Sequence, residues 1–319
     1  MTRFALALIA ALLSGSFAAA SDFPNRPIRF LHGFAPGGNA DVISRVLAEE
    51  MGKTLRQSII IESKTGAGGN LASDTVAKAA PDGYTIVLLT TGHVISPALY
   101  KSLNFDPIGD FEFVSTVTDF PFFVVVSSDS RFKSIEELVA EARARPGTLT
   151  AGTAGVGTGQ HMSLELLASS LGTKFVHVPF RGDAGAATAL LGKNVDFIIA
   201  PGTAIFPNIE AGNFRALATS GAQRWPSLPN VPALAESVVK GFEVMAWMGV
   251  ATTKGTPKPV VERLNVAVLQ AIKTAAVSDR LKSLGGYPRS SSPEEITTKV
   301  KSQIQHWKDV ADKAGLEKR

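Results

Sequence analysis

The sequence predicts an α/β protein in which parallel sheets are covered by helices and two lobes share strands. Three observations carry this. Short β-type runs recur along the chain, several of them separated by helical patterns, and such alternation builds parallel sheets flanked by helices. Hydrophobic residues make up 45% and charged residues 19% of the 319, which supplies a core and excludes long disorder. The 29 glycines and 18 prolines are scattered through turns and form no linker, so the lobes should exchange strands.

The elements follow in order. Ile28–Leu31 is the first β-type run. Over Ala40–Met51, Val42, Ile43, Val46 and Leu47 fall on one face and Arg45, Glu49 and Glu50 on the other, a helical pattern. Ile59–Ile61, Thr85–Leu89 and Phe122–Val126 read as strands. The β-like Thr148–Ala151 precedes a helical stripe of Leu164, Leu167 and Leu171. Phe175–Val178, Val195–Ala200 and Val244–Ala251 complete the β-type runs. No repeat with a period of about 20–50 residues is visible.

The first twenty residues read as an export leader. Arg3 supplies a positive charge, Ala5–Leu13 is an unbroken apolar run, and Ala18-Ala19-Ala20 is an A-x-A cleavage pattern. The run is shorter than the roughly 20 residues that span a bilayer. Ser21 or a near neighbour is the expected mature start, and a periplasm the expected location. The chain has no cysteine, which excludes a disulfide framework, a thiol nucleophile, zinc–thiolate sites and a lipoprotein anchor. The formal charge of +4 is spread without a basic run, so nucleic acid is not an expected partner.

Four glycine-rich turns stand before helical stretches. They are Phe34–Asp41, Thr65–Asn70, Gly152–His161 and Phe180–Gly185. Glycines let backbone N–H groups converge, and a helix N-terminus carries about half a positive charge. One such turn is ordinary chain reversal. Four in one chain point to anion binding. None reads G-x-x-x-x-G-K-[ST], and Gly152–Gly159 does not match the dinucleotide fingerprint.

Catalytic constellations are poor. There is no G-x-S-x-G elbow, no H-E-x-x-H and no close histidine pair, so no metal or other cofactor is expected. His93 follows Thr90-Thr91-Gly92 at the end of a β-type run, the edge where ligands of parallel sheets sit. His161 reads equally as a cap and as a ligand donor, and His177, inside a strand pattern, as structural. The pairs Glu136-Glu137 and Glu294-Glu295 are helix starts, where acids are favoured.

A series of short motifs runs through the mature chain, beginning in Phe23-Pro24-Asn25-Arg26-Pro27-Ile28, Phe34-Ala35-Pro36-Gly37-Gly38 with Asp41, Gly66-Ala67-Gly68-Gly69-Asn70, Ala80-Pro81-Asp82-Gly83-Tyr84-Thr85 and Pro97-Ala98-Leu99-Tyr100. It continues in Ala154-Gly155, Gly157-Thr158, His161, His177-Val178-Pro179-Phe180 with Gly182, Leu190-Leu191-Gly192 and Val195-Asp196. Leu228-Pro229, Val231-Pro232, Gly255-Thr256-Pro257 and Arg263-Leu264-Asn265 extend it to roughly residues 23–315. In the order and spacing of these motifs the mature chain resembles the substrate-binding proteins of tripartite tricarboxylate transporters, the Bug family of periplasmic receptors.

The resemblance implies a two-lobe periplasmic-binding-protein (Venus flytrap) fold, each lobe a mainly parallel sheet flanked by helices. It implies a receptor, not an enzyme, probing small carboxylates in the interlobe cleft and delivering them to membrane permease subunits. Lobe one is expected over 22–118 plus 248–319 and lobe two over 119–247, with residues 1–20 as leader and crossings near Thr118–Pro121 and Val244–Trp247. A monomer is expected. The implied ligand contacts are Phe34, Ala35, Gly37, Gly38 and Asp41 from one lobe. From the other they are Thr153, Gly157, Thr158 and His161, with Phe180 on the cleft wall.

Three positions depart from the family pattern. Phe180-Arg181-Gly182 stands where Tyr-Lys-Gly is common, Ala200-Pro201 where an Asp or Asn is frequent, and Gly33 where Pro is usual. Arg181, if turned to the cleft, offers a two-pronged carboxylate partner. Loss of the acid at 200–201 leaves Asp41 and Asp183 as the acids of the cleft turns, and favours a des-amino dicarboxylate or an aromatic acid. A receptor that signals to a membrane partner is the alternative function; an exported enzyme on the same scaffold is a weaker one.

Overall fold

The computed structural model describes residues 23–313 and 315–318; the expected export leader lies outside them. The first group of elements is β1 (Ile28–His32), α1 (Asn39–Leu55), β2 (Ile59–Ser63), the 3-10 turn Ala67–Gly69, α2 (Asn70–Ala77), β3 (Thr85–Thr90) and α3 (Thr91–Leu99). The long β4 (Phe111–Ser127) leads into α4 (Ile135–Ala144), β5 (Thr150–Thr153), α5 (Gly159–Leu171), β6 (Val176–Pro179) and α6 (Asp183–Leu191). Then come β7 (Phe197–Pro201), α7 (Gly202–Glu210), β8 (Phe214–Thr219) and the short α8 (Leu234–Ser237). β9 (Met245–Thr253) returns to the first group, followed by α9 (Lys258–Lys273), α10 (Ala275–Ser283), β10 (Tyr287–Pro288) and α11 (Pro293–Lys313).

The strands form one hydrogen-bonded path, β2-β1-β3-β9-β4-β7-β5-β6, with β8 and β10 also paired to β4. Pairing is parallel at both ends, among β2, β1 and β3 and among β6, β5 and β7. The long β4 and β9 are antiparallel to their neighbours. β1 and β3 are nearly all buried, as parallel strands covered on both faces are. α1 buries Ile43, Leu47, Met51 and Leu55, four residues apart on one face.

β4 joins the halves. Phe111 to Pro121 pair with β9, and Phe122 to Ser127 pair with β7 on one side and β8 on the other. Pro121 sits at this exchange, where its missing N–H breaks the ladder at least cost. β9 enters at Met245, opposite Pro121. Each half thus has its own mainly parallel sheet, and β4 passes from one to the other, linking them in one hydrogen-bonded path. Side chains alternate across the exchange: Phe122 belongs to the larger core, and Phe123 packs edge-on to Phe206 and Trp225 in a smaller one.

β8 and the Phe111–Pro121 part of β4 lie outside the sequence-based expectation. β8 carries alanines at two of its positions and no clean alternation. The β4 segment shifts register twice before Pro121, which scrambles a period-2 pattern.

Candidate functional site

The four glycine-rich turns meet in pairs. The first faces the fourth: a Cβ built on Gly182 would lie 3.6 Å from the Ala35 amide nitrogen. The second faces the third: a Cβ on Gly68, where φ is +65°, would lie 2.9 Å from the Val156 carbonyl oxygen. Gly92 completes the contact, since its Cβ would meet the carbonyl oxygens of Gly68 and Gly157 at 2.6 and 3.2 Å. At Gly68 and Gly92 only bare backbone fits; at Gly182 the contact is an ordinary one.

Between them lies a cavity at the starts of α1, α3, α5 and α6. Asn39 and Ala40 line it from α1; Thr90, Thr91 and Gly92 from α3; Gly159 and Gln160, with the cap Thr158, from α5; and Asp183 from α6. Its walls are Phe34, Phe120, Phe122, Ala246 and Met248. Helix N-termini aimed into an apolar enclosure attract an anion, because unpaired N–H groups and aligned dipoles face it where little water screens them.

Several polar groups of the rim brace the turns. Thr158 Oγ1 donates to the Gly155 carbonyl at 2.7 Å and accepts from the His161 amide. Thr91 Oγ1 accepts from the Trp247 amide at 2.9 Å, tying α3 to β9. Thr90 Oγ1 accepts from the Gly92 amide.

Asp183 is the acid of this cavity. It is 6% exposed, and its Oδ1 accepts from Gln160 Nε2 at 2.7 Å. Burial pushes its carboxyl up to about 6, against the opposing pull of the Gln160 amide and the Asn39 backbone N–H. Asp41 behaves differently. Its carboxylate turns back to the Gly37 amide at 2.9 Å, to Arg45 and to His32. Burial acts to raise its pKa, but the Arg45 guanidinium and the Gly37 N–H outweigh it and hold the carboxyl below its ordinary value. Burial also lowers the pKa of His32, against the attraction of Asp41.

The expected site residues divide accordingly. Phe34 and Thr158 line the cavity. Phe34, Phe180 and Arg181 line a second cavity at the cleft mouth, with Gly33, Thr65 and Tyr100. Ala35 and Gly157 stand at turn-to-turn contacts. Gly37 and Gly38 border a neighbouring hollow beside α6 and α7 rather than the enclosed cavity; their successors Asn39 and Ala40 reach it. Asp41 braces its own turn.

Three further expected contacts are buried and do not line the cavity. Thr153 is buried against His177 Nε2 at 2.6 Å. His161 stacks on His177 with ring centroids 4.4 Å apart, and its Nδ1 faces the Gly157 amide. His93 lies away from the cavity. The chain turns into α3 at Thr91, two residues before it, which carries its ring into the core among Phe105, Phe111 and Phe113. There Nε2 donates to the Pro107 carbonyl at 2.8 Å and Nδ1 accepts from Ser73, and burial lowers its pKa to about 4.

Outside the glycine-rich turns, sequence reasoning missed Phe120, Phe122, Ala246 and Met248 as lining residues. Phe120, Ala246 and Met248 sit on the crossing strands, and only the β4–β9 register brings them together. No group of three or more potential metal ligands occurs among the described residues. None of the described helices is long and apolar enough to cross a membrane.

Comparison with known proteins agrees with this arrangement. The family described as "Tripartite tricarboxylate transporter family receptor" matches residues 43–316. The periplasmic binding protein BugD is 35% identical, with a TM-score of 0.89 over 93% of this chain and 100% of its own. A Rhodopseudomonas palustris protein solved with adipate is 31% identical, with a TM-score of 0.90 over 93% of this chain and all of its own. MatC of the same organism, with bound malate, is 34% identical, with a TM-score of 0.86 over 91% and 100%. These are solute-binding proteins and not enzymes. With the matched region covering most of the chain and the same fold shared over more than nine-tenths of it, the chain belongs to the tripartite tricarboxylate transporter receptor family.

Proposed function

We propose that the protein is a periplasmic receptor that closes on a small carboxylate and hands it to the permease subunits of a tripartite tricarboxylate-type transporter. The observation that carries the reading is the convergence of four helix starts on one cavity. Binding of adipate and malate by similar receptors supports the ligand class. The export leader ending near Ala20 would deliver the chain to the periplasm as a monomer. The lobes would be 22–118 with 248–319, and 119–247, pivoting where β4 and β9 cross.

The walls Phe34, Phe120, Phe122 and Met248 suit a ligand with an apolar body, such as a dicarboxylate or an aromatic acid. The preference for a des-amino acid stood on the missing acid at Ala200-Pro201. Asp183 in the cavity removes that ground.

A thermal-shift screen of the mature protein against a carboxylate panel tests the reading. An acid at 100 times its dissociation constant should stabilise the fold by about 2.7 kcal/mol. If every small carboxylate leaves the melting temperature unchanged, the reading fails. Uptake of the identified acid by cells lacking the receptor would separate transport from signalling.

A further inference from the structure

The α1 end of the cavity presents acceptors. Asp183 is buried there with its carboxylate facing the Asn39 backbone N–H and Gln160 Nε2. Asn39 is 4% exposed, lines the same cavity, and its side-chain Oδ1 has no hydrogen-bond partner. No basic side chain lines this cavity, and Asp183 forms no ion pair with any described residue. Arg181 lines the second cavity instead.

A buried carboxylate with no counter-charge and an unpartnered amide oxygen in one apolar cavity cost free energy that a donor brought by a ligand offsets. A ligand with carboxylates alone would set a like charge beside Asp183 and leave the Asn39 oxygen empty. A ligand that also carries a donor satisfies both, and its own carboxylate is then free to take the α3 and α5 starts.

We propose that Asp183 is the specificity-determining residue of the cavity, selecting carboxylates that bring a hydrogen-bond donor, an ammonium or a hydroxyl, to the Asp183 carboxylate and Asn39 Oδ1. This rests on the carboxylate reading and narrows it. The two donors differ in one respect: an ammonium also neutralises Asp183, whereas a hydroxyl only bonds to it.

Calorimetric titration of the mature protein with two matched series tests it. One series is succinate, malate and aspartate; the other is 3-phenylpropionate, phenyllactate and phenylalanine. In whichever series fits, a donor-bearing member should bind about tenfold tighter or more than the donor-free acid. Asp183→Asn should abolish an advantage owed to the ammonium and keep part of one owed to the hydroxyl. Asp183→Ala should abolish both and tighten the donor-free acid, with folding of each variant checked by circular dichroism. Equal or tighter binding of the donor-free acid to the unaltered protein overturns the inference while the carboxylate reading stands. So does a preference that survives both substitutions. If no acid of either series binds the folded protein, the carboxylate reading fails and the inference with it.

Discussion

Gln160 Nε2 donates to Asp183 Oδ1 at 2.7 Å, so the first turn of α5 holds the first residue of α6 against the start of α1. Asp183 thereby stands where an anion would be expected, and a contact within one half of the molecule positions a group that meets the other. The tie keeps the carboxyl out of water, and that burial is what raises its pKa.

The raised value has a sign that can be measured. Asp183 titrates near 6 when folded, against 3.8 ordinarily. Between those values the folded protein holds a proton that the unfolded chain has lost, so this group withdraws stability as pH rises through the window. Urea unfolding of the ligand-free protein should show Asp183→Asn close to the unaltered protein below about pH 4. The variant should gain by up to roughly 3 kcal/mol by about pH 7. The comparison cancels the opposite contributions of His32 and His93. A difference that does not change with pH would contradict the assignment.

Closure should depend on bare backbone at Gly68. A Cβ there would meet the Val156 carbonyl oxygen at 2.9 Å, and φ is +65°. Gly68→Ala is expected to cost about 1–2 kcal/mol of stability from the left-handed backbone alone. It should also weaken ligand binding by more than that strain explains, because the second and third turns can no longer touch. Affinity unchanged in a variant of lowered melting temperature would show that the contact is dispensable.

Arg181 lines the mouth cavity, is exposed, and makes no hydrogen bond or ion pair among the described residues. Its replacement therefore removes no fold contact, and Arg181→Gln should change stability by no more than about 0.5 kcal/mol. Carboxylate association should slow and lose part of its salt dependence, since a cation at the entrance steers anions. Stopped-flow rates at two salt concentrations read this directly; identical rates would leave Arg181 without a role in capture.

His93 is a core residue. His93→Ala should destabilise the protein by about 2–4 kcal/mol through the cavity among the phenylalanines and the unpaired Pro107 carbonyl and Ser73 hydroxyl. The dissociation constant for the captured acid, measured well below the melting temperature, should change less than about twofold. A large loss of affinity with little loss of stability would return His93 to the site.

Much of this protein is legible in one dimension. Chain-local chemistry determines that Gly-rich turns precede α1, α5 and α6, that Thr158 caps α5, and that Ala40–Met51 buries one face. Each of these depends on neighbours within about a turn of helix. The family resemblance reads from the same short motifs. The site needed the tertiary structure, because side-chain direction depends on partners far away in sequence. Asp41 and Asp183 occupy the first turns of two helices that both follow glycine-rich turns. Asp41 turns away because Arg45, one helical turn on, and His32, on β1, claim its oxygens. Asp183 turns inward because Gln160 and the Asn39 N–H are what it meets. His93 and Thr91 diverge within one turn of α3, one into the core and the other to the cavity wall. Met248 and Phe120 reach the same wall only because β4 and β9 pair in the register that sets Pro121 opposite Met245. Backbone geometry places the helix starts; long-range packing decides which side chains they present.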